Sequence, residues 1–186
     1  MRSSTLTEKY TFSSDWVTGK VKGWDQFIPK DIKQILEIGN FEGRSTIWFA
    51  QHCPHATITS VDPSNIGAKE TLISNIDQCP NKGRINLIFQ DSRKFLPTLP
   101  RNSMDFIYVD GSHKAEDVLL DGLNSWLLLK EGGILLFDDY EWTGKGLPQH
   151  KPFSGKPPKV GIDAFLSVRD CKIIHKGYQL SVQKCN

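Results

Sequence analysis

The sequence predicts an α/β fold with a mostly parallel sheet, helices on both faces and an antiparallel hairpin at the C-terminal end. From residue 34 onward, short apolar runs rich in β-branched residues alternate with segments whose apolar side chains recur at helical spacing. This alternation is typical of parallel sheets, because each helix returns the chain to the end of the sheet where the next strand begins. The last two apolar runs are joined by Lys176, Gly177 and Tyr178, a short link that favours a hairpin.

Seven apolar runs are candidate strands, and several end at a glycine or an aspartate, residues that favour turns. The runs comprise residues 34–38, 56–61, 84–89, 104–109, 134–137, 172–175 and 179–183. Helices are expected over residues 44–52, 69–78, 114–130 and 160–169. We expect the third helix to end at Glu131-Gly132-Gly133, because glycine commonly follows the last turn of a helix.

Two segments lie outside this pattern. Residues 1–29 carry aromatic side chains without strand or helix periodicity, which predicts a segment that docks on the main body and covers core surface. Residues 140–159 are rich in Gly, Pro and Lys and too long for an ordinary connection, so we expect a long loop or lid. The chain has the length of a single domain, to which all of residues 1–186 are assigned.

The composition narrows the classes of function. Apolar residues make up 38% of the chain and charged residues 24%, with a formal net charge of +2, which argues against a nucleic-acid partner and its clustered basic face. No run approaches the ~20 apolar residues of a membrane span, and residues 1–10 lack the apolar centre of a signal peptide. We therefore expect a cytoplasmic protein with no membrane partner. The four cysteines form no C-x-x-C pair, which argues against a zinc site.

Acidic residues follow each of the first five predicted strands, at the end where ligands bind in parallel sheets. Acids at every one of these ends point to a ligand, because burying uncompensated carboxylates is costly. Glycines after the first strand permit a tight turn and a close approach of the backbone to that ligand. The residues concerned are Glu37 with Gly39 and Gly43, Asp62, Asp91, Asp110, and Asp138 with Asp139.

The spacing of these residues favours one class of nucleotide-like ligand over another. Gly39 and Gly43 depart from the G-x-G-x-x-G spacing of dinucleotide dehydrogenases, and no Tyr-x-x-x-Lys pair is evident, which disfavours a nicotinamide-dependent oxidoreductase. Asp62, at the end of the next strand, is suited to hold both hydroxyls of a ribose by charge-assisted hydrogen bonds. The simpler alternative for these residues is a plain strand-to-helix turn and a turn former before Pro63.

Several runs resemble, in order, the motifs of class I S-adenosylmethionine-dependent methyltransferases. The resemblance is closest to the small-molecule O-methyltransferase branch and extends over about residues 30–185. It implies a Rossmann-like fold with a seven-stranded sheet whose last strand is antiparallel. The runs that carry it are residues 36–46, 60–63, 90–92, 105–113 and 132–140.

The resemblance also implies roles for individual residues. It assigns Glu37, Gly39 and Gly43 to the methionine side of S-adenosylmethionine and Asp62 to its ribose. Asp91 and Ser92 are assigned to the adenine edge, and Asp110 is counted with the residues around the cofactor.

Asp110, Asp138 and Asp139 follow two strands that are expected to be neighbours, and carboxylate oxygens suit Mg²⁺ or another divalent cation. The pattern resembles that of metal-dependent O-methyltransferases, in which a metal ion activates the acceptor hydroxyl. Those enzymes often carry a second acid two residues after the first, where this chain has Ser112. His113 is then the candidate general base, with Asp110 beside it in the catalytic group and His150 as a rival base. A structural network of carboxylates and loop amides is the alternative to a metal site.

The leading hypothesis is a methyltransferase acting on a hydroxyl of a small molecule such as a sugar, polyketide or phenol. A nitrogen acceptor, and a catalytically silent module that keeps the cofactor fold as a scaffold, are alternatives. Assembly into a homo-oligomer is left open, and the identity of the acceptor is not predicted.

Overall fold

A computed structural model describes residues 9–63, 68–144 and 153–185. They form one seven-stranded sheet in the order β3-β2-β1-β4-β5-β7-β6. Strands β1 to β5 are parallel, whereas β7 pairs antiparallel with both β5 and the edge strand β6. The strands are β1 Gln34–Ile38, β2 Thr57–Val61, β3 Ile85–Ile88, β4 Met104–Val109, β5 Leu129–Phe137, β6 Cys171–Lys176 and β7 Leu180–Lys184. The predicted fold class, including the C-terminal hairpin, is confirmed.

Six α-helices accompany the sheet in the described part of the chain. They are α1 Thr18–Trp24, α2 Arg44–His52, α3 Ala68–Gln78, α4 Ser92–Phe95, α5 Ala115–Leu128 and α6 Pro158–Ser167. Single turns of 3₁₀ helix at Lys82–Arg84 and Leu96–Thr98 precede β3 and follow α4. In the part of the chain described, no helix has the length and apolar character needed to span a bilayer.

The sheet separates two hydrophobic cores. Phe106 and Tyr108 of β4 enter the core beneath α2, whereas Ile107 and Val109 enter the core beneath α5 and α6. Successive side chains of a strand point to opposite faces, so a strand that is apolar throughout is covered on both sides. Burial of β4 on both faces fixes the carboxyl ends of the central strands, where the candidate site lies.

The glycines at 132 and 133 have a different role from the one predicted. Helix α5 ends at Leu128, and β5 begins at Leu129, so Gly132 and Gly133 lie inside the strand rather than after a helix. Leu129 pairs with Met104, and the register shifts before the next pair, Phe106 with Ile134. Gly132 has φ +74°, a conformation that glycine adopts at little cost and that suits an irregularity in the strand. The expected helix end was wrong because a strand pairing decided the backbone.

Residues 9–29 pack against the sheet and contain a helix that the sequence did not predict. Trp24, the last residue of α1, is fully buried. Its ring stacks on Phe49, with centroids 5.2 Å apart, and meets Tyr108 edge to face. Its indole N–H donates to Gln179 Oε1 at 2.7 Å. The segment before β1 is therefore tied to the core and to the C-terminal hairpin.

Candidate functional site

A large cavity lies beyond the carboxyl ends of the parallel strands. Its volume is about 1170 Å³, and its walls come from the turns after β1, β2, β3 and β4 together with residues 12–20. Pockets for one small ligand commonly measure roughly 300–1,000 Å³, so this cavity has room for a donor and an acceptor together. More carboxylates than Lys and Arg side chains line it, which suits a ligand that carries positive charge.

The turn between β1 and α2 forms the floor of the cavity. Gly39 has φ +89°, and a Cβ there would lie 2.2 Å from the carbonyl oxygen of Asp110. Glycine is therefore required where the ends of β1 and β4 approach each other. Gly43, with φ +84°, begins α2, and a Cβ there would lie 2.7 Å from the side chain of Leu72. Both glycines that the sequence singled out are fixed by close packing.

Glu37 is fully buried beside the cavity and is not among the residues that line it. Its carboxylate accepts hydrogen bonds from Ser45 Oγ at 2.5 Å, from Ser60 Oγ at 2.6 Å and from Thr46 Oγ1. Burial raises the pKa of Glu37 to about 6, although the three hydroxyls oppose the rise. Glu37 thus joins β1, α2 and β2 beneath the turn, and its direct contact with a cofactor remains a prediction.

Asp62 lies at the end of β2 and lines the cavity. The backbone N–H of Asn40 donates to its Oδ2 at 3.2 Å, and the Asn40 amide donates to Ser60 Oγ at 3.0 Å. The turn after β1 and the carboxylate after β2 are thereby held together.

Asp91 and Ser92 begin α4 on the far side of Asp62 and also line the cavity. Asp91 caps the helix by accepting the N–H of Arg93, whose guanidinium also bonds it and lowers the pKa of Asp91 to about 2. Ser92 Oγ donates to Asp121 Oδ1 at 2.6 Å. Sequence reasoning missed Asp121, although it lies on the buried face of α5 with Val118. The signal that could have revealed Asp121 is an acidic residue at a helical position that faces the core.

Three carboxylates converge at the ends of β4 and β5, and we call Asp110, Asp138 and Asp139 the acidic triad. Val109 pairs with Phe137, so the residues that follow them are adjacent at the edge of the sheet. One oxygen from each carboxylate lies within 4.8 Å of the others. The pairing of β4 with β5 therefore brings these predicted residues together.

Tyr108 lies beneath the acidic triad and bridges two of its carboxylates. Its hydroxyl contacts Asp110 Oδ2 at 2.9 Å and also Asp138 Oδ2. A phenol has one proton and donates it to one of the two oxygens at a time. Burial and the charge of Asp138 raise the pKa of Asp110 well above its ordinary value.

Lys20 of α1 reaches into the acidic triad. Its Nζ lies 2.5 Å from Asp138 Oδ2, and the side chain is 18% exposed, toward the cavity. Burial lowers the pKa of Lys20, but the charges of Asp138 and Asp110 outweigh burial and raise it, so the ammonium stays charged. Sequence reasoning missed this residue, because a single lysine in an aromatic segment carries no local signal of a partner 118 positions away.

His113 is held against the third member of the triad. Its Nε2 lies 2.8 Å from Asp139 Oδ2, and Tyr178 donates its hydroxyl to Asp139 Oδ1 at 2.6 Å. Burial of Asp139 opposes its ionisation, but the hydrogen bonds from His113 and Tyr178 outweigh it and lower the pKa of Asp139. The His113 ring also packs against Trp142, with centroids 4.6 Å apart. His150, the rival base, lies outside the described residues.

Aromatic side chains border the open side of the cavity. Trp16 and Phe41 are 63% and 44% exposed, with ring centroids 5.2 Å apart, and Trp142 meets Phe153 edge to face at 4.9 Å. Aromatic pairs that line a cavity offer flat apolar surface to a ligand. Of residues 140–159, those from 145 to 152 lie outside the described residues.

Comparison with known proteins gives one family. A family model described as a methyltransferase domain matches residues 36–140, which run from β1 to just beyond β5. An uncharacterized protein of Acanthamoeba polyphaga mimivirus is 31% identical over 129 residues, which are 64% of this chain and 58% of that protein. The chain therefore spans less than two thirds of the length of that relative.

Solved structures share the fold. The O-methyltransferase TomG from Streptomyces achromogenes, involved in tomaymycin synthesis and solved with S-adenosylmethionine, superposes with a TM-score of 0.65 at 21% identity, covering 83% of this chain and 74% of TomG. An O-methyltransferase from Bacillus cereus, solved with S-adenosylhomocysteine, has a TM-score of 0.62 at 19% identity, covering 83% of this chain and 76% of its own. At these identities the likeness extends to the fold alone.

Proposed function

The chain belongs to the methyltransferase domain family, and we propose that it transfers the methyl group of S-adenosylmethionine to a hydroxyl of a small molecule. The observation that carries the proposal is the cavity itself. Within the matched residues, a glycine turn, Asp62, Asp91, Asp110 and Asp139 follow the strands and line one space. Solved relatives of the same fold bind the methyl donor or its product, which supports the choice of donor.

Each part of the donor has a matching group in the cavity. Asp62 is placed to accept both ribose hydroxyls, and Asp91 with Ser92 borders the space for the adenine. The turn at Gly39 lets the backbone approach the methionine part closely. When bound, S-adenosylmethionine supplies an electrophilic methyl group on a positively charged sulfur, which an acid-rich cavity stabilises.

His113 is the proposed general base. Because Asp139 Oδ2 accepts from Nε2, the basic nitrogen of neutral His113 is Nδ1. Asp139 orients the imidazole and stabilises the positive charge that it gains on taking the hydroxyl proton. In the transfer, the acceptor oxygen bonds to the methyl carbon, the C–S electron pair returns to sulfur, and the proton passes to Nδ1.

The acceptor is proposed to be a flat, hydroxylated molecule, with a phenol preferred over a sugar. Trp16, Phe41, Trp142 and Phe153 present ring faces and edges at the open side of the cavity. Aromatic pairs of this kind contribute roughly 0.5–1.5 kcal/mol each beyond burial alone. A nitrogen acceptor is the alternative, because the same walls and base serve an amine.

A divalent cation does not fit the acidic triad in its observed arrangement. Carboxylate oxygens are the ligands that Mg²⁺ prefers, and their convergence agrees with the sequence prediction. However, the ammonium of Lys20 already lies against Asp138, one of the three carboxylates that would hold the ion. We therefore route no step of the proposed reaction through a metal.

Calorimetry with S-adenosylmethionine and S-adenosylhomocysteine tests the donor site. We expect Asp62→Asn to weaken binding about 10- to 100-fold, because the charge-assisted bonds to the ribose are lost. Asp77→Asn removes an exposed carboxylate of α3 and is the matched control, with affinity unchanged. Absence of binding at high micromolar donor, or a preference for NAD, would contradict the proposal.

Incorporation of labelled methyl groups into metabolite pools tests the transfer. A labelled ether is expected, and a labelled amine would replace the oxygen acceptor by a nitrogen acceptor. Tight donor binding without any labelled product would instead support a catalytically silent module. His113→Gln should retain donor binding and lose about 100-fold or more in turnover, the usual contribution of a general base.

A further inference from the structure

We propose that Lys20 is the resident cation of the acidic triad, that its ammonium takes the place of a divalent metal ion, and that it positions the acceptor oxygen. The last clause rests on the proposed function. The first two clauses concern the protein alone. They follow from the ion pair of Lys20, from the hydrogen bonds to Asp138 and Asp139, and from the way α1 is anchored.

The first contact is the ion pair itself. Lys20 Nζ lies 2.5 Å from Asp138 Oδ2, and only 1% of the Asp138 side chain is exposed. A carboxylate so deeply buried requires a partner of opposite charge, because an unpaired buried charge is strongly destabilising. Among the described residues that contact Asp138, Lys20 is the group that carries a positive charge.

The second observation is the set of hydrogen bonds that Asp138 and Asp139 accept. Asp138 Oδ1 accepts the backbone N–H of Asp139 at 2.7 Å, and its Oδ2 accepts from both Lys20 and Tyr108. Asp139 Oδ1 accepts from Tyr178 and its Oδ2 from His113. Each of the four oxygens is therefore engaged, and a metal ion would have to compete with donors that the fold supplies.

The third observation is the anchoring of α1, which fixes the position of the ammonium. Lys20 and Trp24 are four residues apart on α1, so their side chains lie on the same face of the helix. Trp24 is buried against Phe49 and bonded to Gln179, next to the Tyr178 that holds Asp139. The tryptophan thus anchors α1 at the point that delivers Lys20 to Asp138. The ion pair between Lys20 and Asp138 therefore depends on the docking of α1 against the core.

The consequence for the reaction is electrostatic. An acceptor hydroxyl becomes negative as it loses its proton, and a fixed cation beside it lowers the energy of that charge. Lys20 lines the cavity together with His113, so its ammonium and the base face the same space. Lys20 is therefore a positioning residue that performs the charge stabilisation for which other enzymes use a metal ion.

Metal binding measured without donor or acceptor tests the resident cation. We expect calorimetry and Mn²⁺ paramagnetic resonance to detect no Mn²⁺ at the triad of the unaltered protein. Lys20→Met leaves the carboxylates without their cation and should gain at least about 100-fold in Mn²⁺ association. Lys20→Arg keeps the charge and should gain nothing, and Lys22→Met, an exposed lysine of the same helix, is the matched control.

The gained site must belong to the triad. Adding Asp138→Asn to Lys20→Met should abolish the gained Mn²⁺ binding, and binding that persists would overturn the proposal. Mn²⁺ binding to the unaltered protein that Asp138→Asn removes would overturn it as well. Circular dichroism of Lys20→Met checks that the variant is folded. If it is not, Mn²⁺ binding to the unaltered protein and to Asp138→Asn still decides the proposal.

Turnover tests the positioning role. We expect a chelator to leave the transfer rate unchanged, and Lys20→Met to lower kcat by about 100-fold with donor affinity retained. Loss of turnover in the chelator alone would refute the role of Lys20. If the protein binds no methyl donor, the proposed function fails, yet the Mn²⁺ measurements still decide whether Lys20 is the resident cation.

Discussion

Replacing Glu37 by glutamine is expected to remove a dependence of stability on pH. Burial raises the pKa of Glu37 from its ordinary 4.5 to about 6 in the folded protein. The folded state therefore holds this proton more tightly than the unfolded state does. The stabilisation is fully present below about pH 4.5 and is lost as the pH rises through about 6. A difference of about 1.5 between the two pKa values corresponds to about 2 kcal/mol.

Glutamine does not titrate, so the loss disappears in Glu37→Gln. Near pH 4 both side chains are neutral, and the variant should differ little from the parent in free energy of unfolding. Near pH 7.5 the difference should have moved by about 2 kcal/mol in favour of the variant. Comparing the two pH values cancels any constant cost of altered bonds to Ser45, Thr46 and Ser60.

Urea unfolding at the two pH values, followed by tryptophan fluorescence, measures this difference. Glu70→Gln, at an exposed position of α3, is the matched control and should show no such change. A difference between parent and Glu37→Gln that stays constant within about 0.5 kcal/mol, or that moves the other way, would refute the assignment of Glu37 as a buried, titrating group.

Three further substitutions test the turn, the anchor and the base. Gly39→Ala forces a positive φ on alanine and a Cβ against the end of β4, so thermal unfolding should show a loss of about 3 kcal/mol together with lost donor binding. Trp24→Phe keeps the ring packing but removes the hydrogen bond to Gln179. Chemical denaturation should show that the free energy of unfolding falls by about 1–2 kcal/mol. An unchanged denaturation midpoint would argue against α1 as a docked element. Tyr178→Phe removes a hydrogen bond that lowers the pKa of Asp139. The acid limb of the pH–rate profile should therefore move to higher pH. An unmoved limb would show that Asp139 does not influence the general base.

The strands and the turn after β1 were predictable because their signals are local. Continuous apolar runs mark β1 and β4, whose bounds agree with the prediction, and each is covered on both faces. Gly39 carried its signal in the sequence, since the close approach of the chain after β1 to the chain after β4 leaves no room for a Cβ. The convergence of the acidic triad also followed, because parallel strands end at one edge of a sheet.

Other features depended on partners far along the chain. Leu129 to Gly133 extend β5 because Leu129 pairs with Met104, and no local pattern distinguishes that extension from the end of a helix. The hydroxyls of α2 and β2 that hold the carboxylate of Glu37 could not be read from the sequence, and the contact of Glu37 with a cofactor stays a prediction. Asp121 and Tyr178 escaped notice because their roles depend on the residues that lie opposite them.

The sequence by itself determined the α/β fold, the edge of the sheet that carries the cavity, and the carboxylates that gather there. These follow from periodicities of two and 3.6 residues and from the shared direction of parallel strands. Only the tertiary structure decided what neutralises those carboxylates. Lys20 reaches Asp138 across 118 positions of sequence because Trp24 docks α1 on the core. The sequence predicted a site for a metal ion there, which stays a prediction, and packing brings a cation of the chain itself to Asp138, because a buried charge without a partner is strongly destabilising.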